Sequence, residues 1–359
     1  LAKLSVIKSN NIPKVAIVLL SYNSKKLLIN FLPLIIKNTP KSSDYEIWVV
    51  DNASVDNTWE FLDENFPEVK KLQLKVNKGF TNGYVESLAQ IQAKYYCLIS
   101  SDIEVTENWL LPPIEMMEKN PDFAAIQPKI KSYNQRNLFE YAGASGGFID
   151  FLGYPFCRGR LINHLEEDKN QYEKPIETFW ASGACLFINA DLYHKAGGLD
   201  NDFYAHMEEI DLCWRLKNMG YKIGVCPQSL VYHMGGFIIT YGSPLKVYRN
   251  HRNNLIMLLK NMSFGEIIWK IPVRIALDAI TFYKMAFDGE FKPATGIIKA
   301  HWEFFFYLPK WLSKRQKTRK LFSKSPNKYG IMQKSIVVEV MLKGKTKFNE
   351  LNFKTKSIN

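Results

Sequence analysis

The sequence predicts an α/β protein, a doubly wound sheet followed by a C-terminal helical extension. Two observations carry this. Between residues 15 and 105, short apolar runs that end in polar residues alternate with segments of helical period. After about Ser243 the strand texture stops and long amphipathic patterns replace it. At 359 residues the chain exceeds one ordinary domain, so one large domain with additions is expected.

"VAIVLLSYN" (15–23) is a continuous apolar run closed by small and polar residues, as in a strand buried on both faces. "SKKLLINFLPLIIKNT" (24–39) reads as a helix, with Ser24 placed to cap it and Pro33 as a flaw. "EIWVV" is a second buried strand ending at Asp51, and residues 56–65 form a short helix. "KKLQLKVN" (70–77) gives a third strand, and "GYVESLAQIQA" (83–93) a helix. "YYCLISSDIEV" (95–105) is a fourth strand that runs into Asp102. Such alternation predicts a parallel sheet, whose ligands bind at the carboxyl ends of the strands. Asn23, Asp51 and Asp102 stand at such ends.

The middle of the chain differs. "FEYAGASGGFIDFLGYPFCRGR" (139–160) has no helical period and reads as strands and close-packed loops. Residues 177–200 read as a strand, a short helix and a Gly-Gly turn, and "YKIGVCP" (221–227) is another strand. "LKVYRNHRNNLIMLLKNM" (245–262) is a helix with a basic first half. The segments 265–289 and 297–315 are apolar but interrupted by charges and Pro, short of the roughly 18–20 apolar residues of a membrane span. The sequence thus divides into a lead-in (1–13), the α/β domain (14–244), a helical extension (245–325) and a basic tail (326–359).

Charge is unevenly placed. Residues 310–359 hold 14 Lys/Arg against two Asp/Glu, which accounts for the whole net charge of +12 and leaves a neutral body. The basic stretch adjoins apolar segments bearing Trp269, Trp302, Trp311 and "FFFY" (304–307). That pairing predicts helices lying on an anionic membrane surface, with packing on the body or a homodimer as the alternative. A neutral body argues against nucleic acid as partner. The five cysteines form no CxxC pair and sit mostly in apolar runs, so they read as reduced core residues of a cytoplasmic protein. No signal-peptide pattern is visible.

Several polar positions invite chemistry. "FYAHMEEIDLCWRLKNMG" (203–220) opens a helix with Glu208, Glu209 and Asp211. Asp211 is spaced to pair with Arg215 (i, i+4), which leaves Glu208 and Glu209 as candidates for a general base. Asp51 suits either a nucleobase or ribose contact or a turn cap. Asp102 suits either a divalent metal or a strand-end cap, and His233 in "VYHMGG" is either a ligand or structural. "VNKGFTNG" (76–83) lacks both GxGxxG and the P-loop Lys, which disfavours a Rossmann dehydrogenase or a P-loop NTPase. Arg249 and Arg252 follow "GGFIITYGSP", a lid candidate. They either close on phosphates or form a basic face.

Taken in order, "VAIVLLSYNS", "VVDNASVDNT", "NKGFTNG", "LISSDIEV", "FWASGACLFI", "GGLDNDFYAHMEEIDLCWRL" and "VYHMGG" resemble the family 2 inverting glycosyltransferases. The likeness is to bacterial rhamnosyltransferase-like members that build envelope polysaccharides, and it spans about Val15 to Lys260. It implies the GT-A fold, a doubly wound mixed sheet. It implies transfer from a nucleotide-diphospho-sugar to a glycan or lipid-linked glycan, peripheral on the inner face of the cell membrane. Ser21, Tyr22, Asn23 and Asp51 would bind the nucleoside. Asn77, Gly79, Phe80, Ser101, Asp102, Trp180 and Gly183 would complete the donor site with Arg249 and Arg252. Asp102 and His233 would hold a divalent cation, Mg2+ or Mn2+. Glu209 would be the base, and Glu208 would orient the acceptor or the base. Three departures stand out: Ser100 replaces the first acid of the family's DxD-type motif, "GFTNGYVES" (79–87) lacks the Asn-rich continuation of many relatives, and the base is Glu rather than the commoner Asp. The first keeps open a non-catalytic sugar-nucleotide-binding or assembly subunit.

Overall fold

A computed structural model of the protein describes residues 12–235 and 243–358. The first apolar run is strand β1 (Val15–Ser21), and all of it is buried. Ala16, Val18 and Leu20 point into one core while Val15, Ile17 and Leu19 point into another. With both faces covered there is no solvent side to encode, so the sequence lacks polar alternation. β1 pairs in parallel with β2 (Tyr45–Asp51) and β4 (Tyr95–Ser100), and β3 (Lys70–Gln73) extends β2. The crossovers are α1 (Lys25–Lys37), α2 (Thr58–Asn65) and α3 (Phe80–Leu88).

In the second half the sheet becomes mixed, as the family likeness implied. Next come β5 (Ile103–Val105), α4 (Leu111–Lys119), β6 (Phe123–Ser132), β7 (Gly147–Asp150), β8 (Pro155–Cys157), β9 (Arg160–Leu161) and β10 (His164–Leu165). They are followed by β11 (Ile176–Thr178), β12 (Cys185–Asn189), α5 (Ala190–Lys195), α6 (Glu208–Asn218) and β13 (Lys222–His233). β12 lies antiparallel between β4 and β6, while β13 runs parallel to β6. The order is β11-β13-β6-β12-β4-β1-β2-β3, with β5 on β13. β12 is reached through strands and loops rather than a crossover helix, which frees it to run antiparallel. β13 continues past Pro227, where the register shifts between Cys226 and Leu230.

The extension is helical, as expected: α7 (Pro244–Asn261), α8 (Phe264–Phe287), α9 (Phe291–Phe306) and α10 (Leu308–Arg319). The stretch 297–315, read as one segment, is two helices. Pro309 sits in the first turn of α10, where its missing N–H costs nothing. Among the described residues no helix is long and apolar enough to cross a membrane. The basic segment after 326 returns to the body. Strand β14 (Ile331–Met332) pairs with β7 in a second sheet, β10-β9-β8-β7-β14. Ile336, Val340, Phe348 and Leu351 are buried in the same core as Phe148 and Phe156. All five cysteines are free and buried.

Candidate active site

The carboxyl ends of β1, β2 and β4 lie side by side, and the loops that follow them border one face, termed the cleft. After β1, Asn23 adopts a left-handed backbone (φ 49°) and braces the neighbouring loop. Its N–H donates to Ser54 Oγ at 2.9 Å, and its Oδ1 accepts from the Val55 N–H at 2.9 Å. Tyr22 beside it is exposed, whereas Ser21 is buried. Asp51 is fully buried at the end of β2. Its Oδ1 accepts from the Ser54 N–H at 3.1 Å and its Oδ2 from Gln73 at 3.2 Å, so it shapes the turn beneath the cleft.

The loop before α3 closes the next side. Asn77 Oδ1 accepts from the Gly79 N–H at 2.8 Å and from Asn52 Nδ2 at 3.1 Å. Gly79 has φ +94°, and a Cβ there would lie 2.6 Å from the Tyr204 ring, so only glycine fits. Phe80 packs edge-on against Tyr84 at 4.9 Å. The Thr81 N–H donates to the Tyr204 carbonyl at 3.0 Å, which ties this loop to the turn that leads into α6.

Asp102 and His233 meet across the β5–β13 pairing. His233 Nε2 lies 3.3 Å from Asp102 Oδ2, and Nδ1 lies 3.3 Å from Glu140 Oε1. Burial disfavours a charged imidazole here, but Asp102 and Glu140 outweigh it and hold the ring protonated well above the usual histidine range. Burial likewise raises the two carboxyls, and His233 brings both below their ordinary values. Glu140 comes from the irregular 139–160 stretch, and no sequence pattern marked it. No group of three or more His, Cys, Asp or Glu among the described residues is arranged to hold a metal ion by itself.

The carboxylates of α6 enter from a strained turn. Tyr204, His206 and Met207 all have positive φ (63°, 73° and 70°), and the helix starts at Glu208. Burial, then the neighbouring Glu209, pushes the Glu208 carboxyl well above its usual range. Burial pushes Glu209 up to about 7, and backbone hydrogen bonds offset part of that. Glu209 lies against Gly183, where an added Cβ would sit 3.6 Å from its own. His206 is lowered to about 4 by burial and by Lys246 and Arg249.

Asp211 takes the structural role. It accepts from Arg215 Nε at 2.8 Å, Lys260 Nζ at 2.8 Å and Asn261 Nδ2 at 2.9 Å. Two donor-site expectations are placed elsewhere. Trp180 is buried with its indole N–H on the Phe148 carbonyl at 2.9 Å, because it packs against Gly147 in the core. Arg252 is buried and engaged by Glu303 at 2.9 Å and by the Asp202 carbonyl, so its guanidinium is already committed within the fold. Arg249 stays near, stacked 4.0 Å over the Tyr204 ring and close enough to Glu208 to lower its proton affinity. The lid candidate at 236–242 lies outside the described residues.

Among the described residues, buried side-chain atoms without a hydrogen-bond partner gather here: Ser21 Oγ, Asn52 Oδ1, Thr81 Oγ1, Ser101 Oγ, Asp102 Oδ1, His206 Nε2, Glu208 Oε2, Glu209 Oε2 and His233 Nδ1. Folded chains leave few such atoms, so their concentration marks a surface shaped for a polar ligand. Residues 16–197, just over half the chain, match the family described as Glycosyl transferase family 2.

The chain belongs to glycosyl transferase family 2. This transferase is 21% identical over 248 residues to N-acetylglucosaminyl-diphospho-decaprenol L-rhamnosyltransferase of Mycobacterium tuberculosis, covering 64% of this chain and 79% of that one. It is 22% identical over 262 residues to the low-salt glycan biosynthesis hexosyltransferase Agl10 of Haloferax volcanii, covering 71% and 78%. In structure it is similar to GalNAc-T7 solved with UDP, GalNAc and Mn2+, with TM-score 0.54 at 17% identity, covering 70% of this chain and 48% of that one. The shared fold is the GT-A mixed sheet expected from the motifs.

Proposed function

We propose that this transferase moves a rhamnose or hexose from a nucleotide-diphospho-sugar to a hydroxyl of a lipid-linked glycan in envelope polysaccharide synthesis, inverting the anomeric centre. One observation carries the reading: Glu209, with its proton affinity raised to about 7 and Oε2 unpartnered, stands at the cleft beside Gly183. A base in that range is matched to neutral pH. The acceptor oxygen bonds to the anomeric carbon while its proton passes to Glu209. The bond from that carbon to the diphosphate breaks on the opposite face, and the electron pair leaves with the nucleotide. Glu208, held neutral, can donate a hydrogen bond to the acceptor or to Glu209.

Asp102 and His233 Nε2 are the residues that would hold a divalent cation. The fit rests on the orphaned Asp102 Oδ1 and on Glu140, whose Oε1 lies 3.3 Å from Nδ1; an ion would displace the Nε2 proton that the ring carries without it. Two protein ligands suit Mg2+ or Mn2+ whose other positions are filled by diphosphate and water. Such an ion would supply positive charge at the departing diphosphate. Arg249 stands by Glu208 as a second cationic group. The loops at 21–23 and 51–55 offer polar edges for the nucleoside.

The name of the mycobacterial relative, with its diphospho-decaprenol, supports a lipid-linked acceptor. A membrane-surface position is supported by α8, whose exposed side chains are apolar apart from Lys284. They include Phe264, Ile268, Trp269, Ile280, Tyr283 and Phe287, and Trp302 and Phe306 of α9 are exposed too. Flotation with anionic vesicles tests this. The full chain should float and release at high salt, and a chain with Ile280, Tyr283, Phe287 and Phe291 changed to Ser should not. A wild-type chain that stays in the soluble fraction at low salt overturns the membrane position.

The function itself is tested by thermal shift and turnover with UDP-, GDP- and dTDP-sugars, with and without Mn2+ or Mg2+. One donor should both stabilise the chain and be consumed. A donor that stabilises but is never turned over, even with a lipid-linked glycan present, favours the non-catalytic binding subunit.

A further inference from the structure

We infer that Asn253 is a positioning residue for the base, so that α7 serves the active site without touching substrate. The inference rests on Glu209 being that base. Tyr204, His206 and Met207 hold a left-handed backbone within four consecutive residues, a conformation that is costly for residues with side chains and persists only where surroundings enforce it. Asn253 supplies the enforcement. Its Nδ2 lies 3.0 Å from the Phe203 carbonyl, 3.0 Å from that of Ala205 and 2.7 Å from that of His206. Its own orientation is fixed, because Oδ1 accepts from Arg252 Nε at 3.0 Å.

Support continues outward. Arg252 is held by Glu303 of α9 at 2.9 Å and by the Tyr248 hydroxyl at 3.0 Å, and it donates to the Asp202 carbonyl just before the turn. From the other side the Thr81 N–H holds the Tyr204 carbonyl at 3.0 Å. The turn is thus gripped between the loop before α3 and helix α7. His206, whose carbonyl Asn253 holds most closely, lies two residues before Glu208 and three before Glu209. Without the Asn253 donors the left-handed residues can relax toward ordinary backbone, and the start of α6 then swings the Glu209 carboxyl away. Donor binding does not need that carboxyl, whereas the proton transfer does.

Asn253→Asp tests this in the full chain, since it keeps size and the acceptor for Arg252 but loses both N–H donors. Misplacement of a reacting group by about 1 Å costs on the order of 10²-fold. We expect kcat to fall by about that factor, KM for the nucleotide sugar to change less than about threefold, and amide exchange to speed up across 203–209 but not in β1 or β4. Glu303→Gln loosens the same support from its far end without removing Asn253, and should give a smaller kcat loss with the same local exchange pattern. The proposal is overturned if both variants keep kcat within threefold, or if exchange at the turn is unchanged. It is also overturned if kcat and donor affinity fall together with exchange rising through the whole sheet. A wild-type chain that consumes no nucleotide sugar removes the transferase reading instead, and exchange at the turn still decides the grip.

Discussion

Glu209 and Asp211 stand two residues apart on α6 and meet opposite surroundings. Asp211 accepts hydrogen bonds from three side chains, two of them cationic, and Lys260 also reaches Asp200 at 2.6 Å. Glu209 has backbone hydrogen bonds and, among the described residues, no cation that lowers its proton affinity, and burial lets it hold its proton up to about 7. Two acids at one helix start are therefore not one feature. The first keeps a raised proton affinity where side-chain partners are few, and the second ties the helix to Lys260 and Asn261 of α7 by saturating itself with them. The difference teaches that burial alone does not say whether an acid's acceptor oxygens are filled. The count of positive neighbours does.

That contrast can be broken at either end. The largest effect is expected from Lys260→Met, which strips a cation from both Asp200 and Asp211. Removing one partner of a buried ion pair costs about 3–5 kcal/mol, read by denaturant unfolding. A loss under about 1 kcal/mol would show that Arg215 and Asn261 suffice for Asp211. Next comes Glu209→Gln, expected to lower turnover on the order of 10²-fold, equal to about 2.7 kcal/mol in the barrier, with donor affinity little changed. In the wild type, turnover should rise with pH to a plateau above about 7, where Glu209 is ionised. Normal turnover in Glu209→Gln with loss in Glu208→Gln would hand the role to Glu208.

A smaller loss, about 1–3 kcal/mol of stability, is expected for Gly79→Ala, which forces a side chain into a left-handed position against Tyr204. Donor affinity should fall with it, since the loop shift reaches the cleft. The smallest effect has the opposite sign. Folded Glu209 keeps its proton to about 7, whereas an ordinary carboxyl loses it near 4.5, so the folded state binds more protons in that window. Stability contributed by this site falls as pH rises from about 4.5 to 7. Glu209→Gln should therefore match the wild type at pH 4 and exceed it at pH 8 by about 1–3 °C in Tm. A variant less stable than the wild type at pH 8 would mean the carboxylate has a partner after all.

Much of this was legible in the sequence, for physical reasons. β1 betrayed itself because burial on both faces leaves no polar alternation. The Asp211–Arg215 pair followed from helix spacing alone. Asp102 and His233, 131 residues apart in number, came together as the family likeness implied. Glu140 was invisible because it lies in a segment without period, where no spacing rule says which way a side chain points. Trp180 and Arg252 looked like binding residues by type, but packing against Gly147 and pairing with Glu303 claimed them first. The direction of β12 was hidden too, since an apolar run reads the same whichever way it is threaded.

The pairing of β7 with β14 has a consequence for how the protein must be made. Ile149 finds its strand neighbour at Ile331, and the Phe148 ring packs tilted against that of Phe348, 5.2 Å between centres. A nascent chain that has already delivered every acid and loop of the cleft from the ribosome still lacks these partners. Until the last helices and the segment after them emerge, Phe148 and Phe156 remain uncovered and β7 keeps an open edge, both invitations to aggregation. A fragment cut at the end of β13 lacks these partners and should aggregate more readily than the full chain.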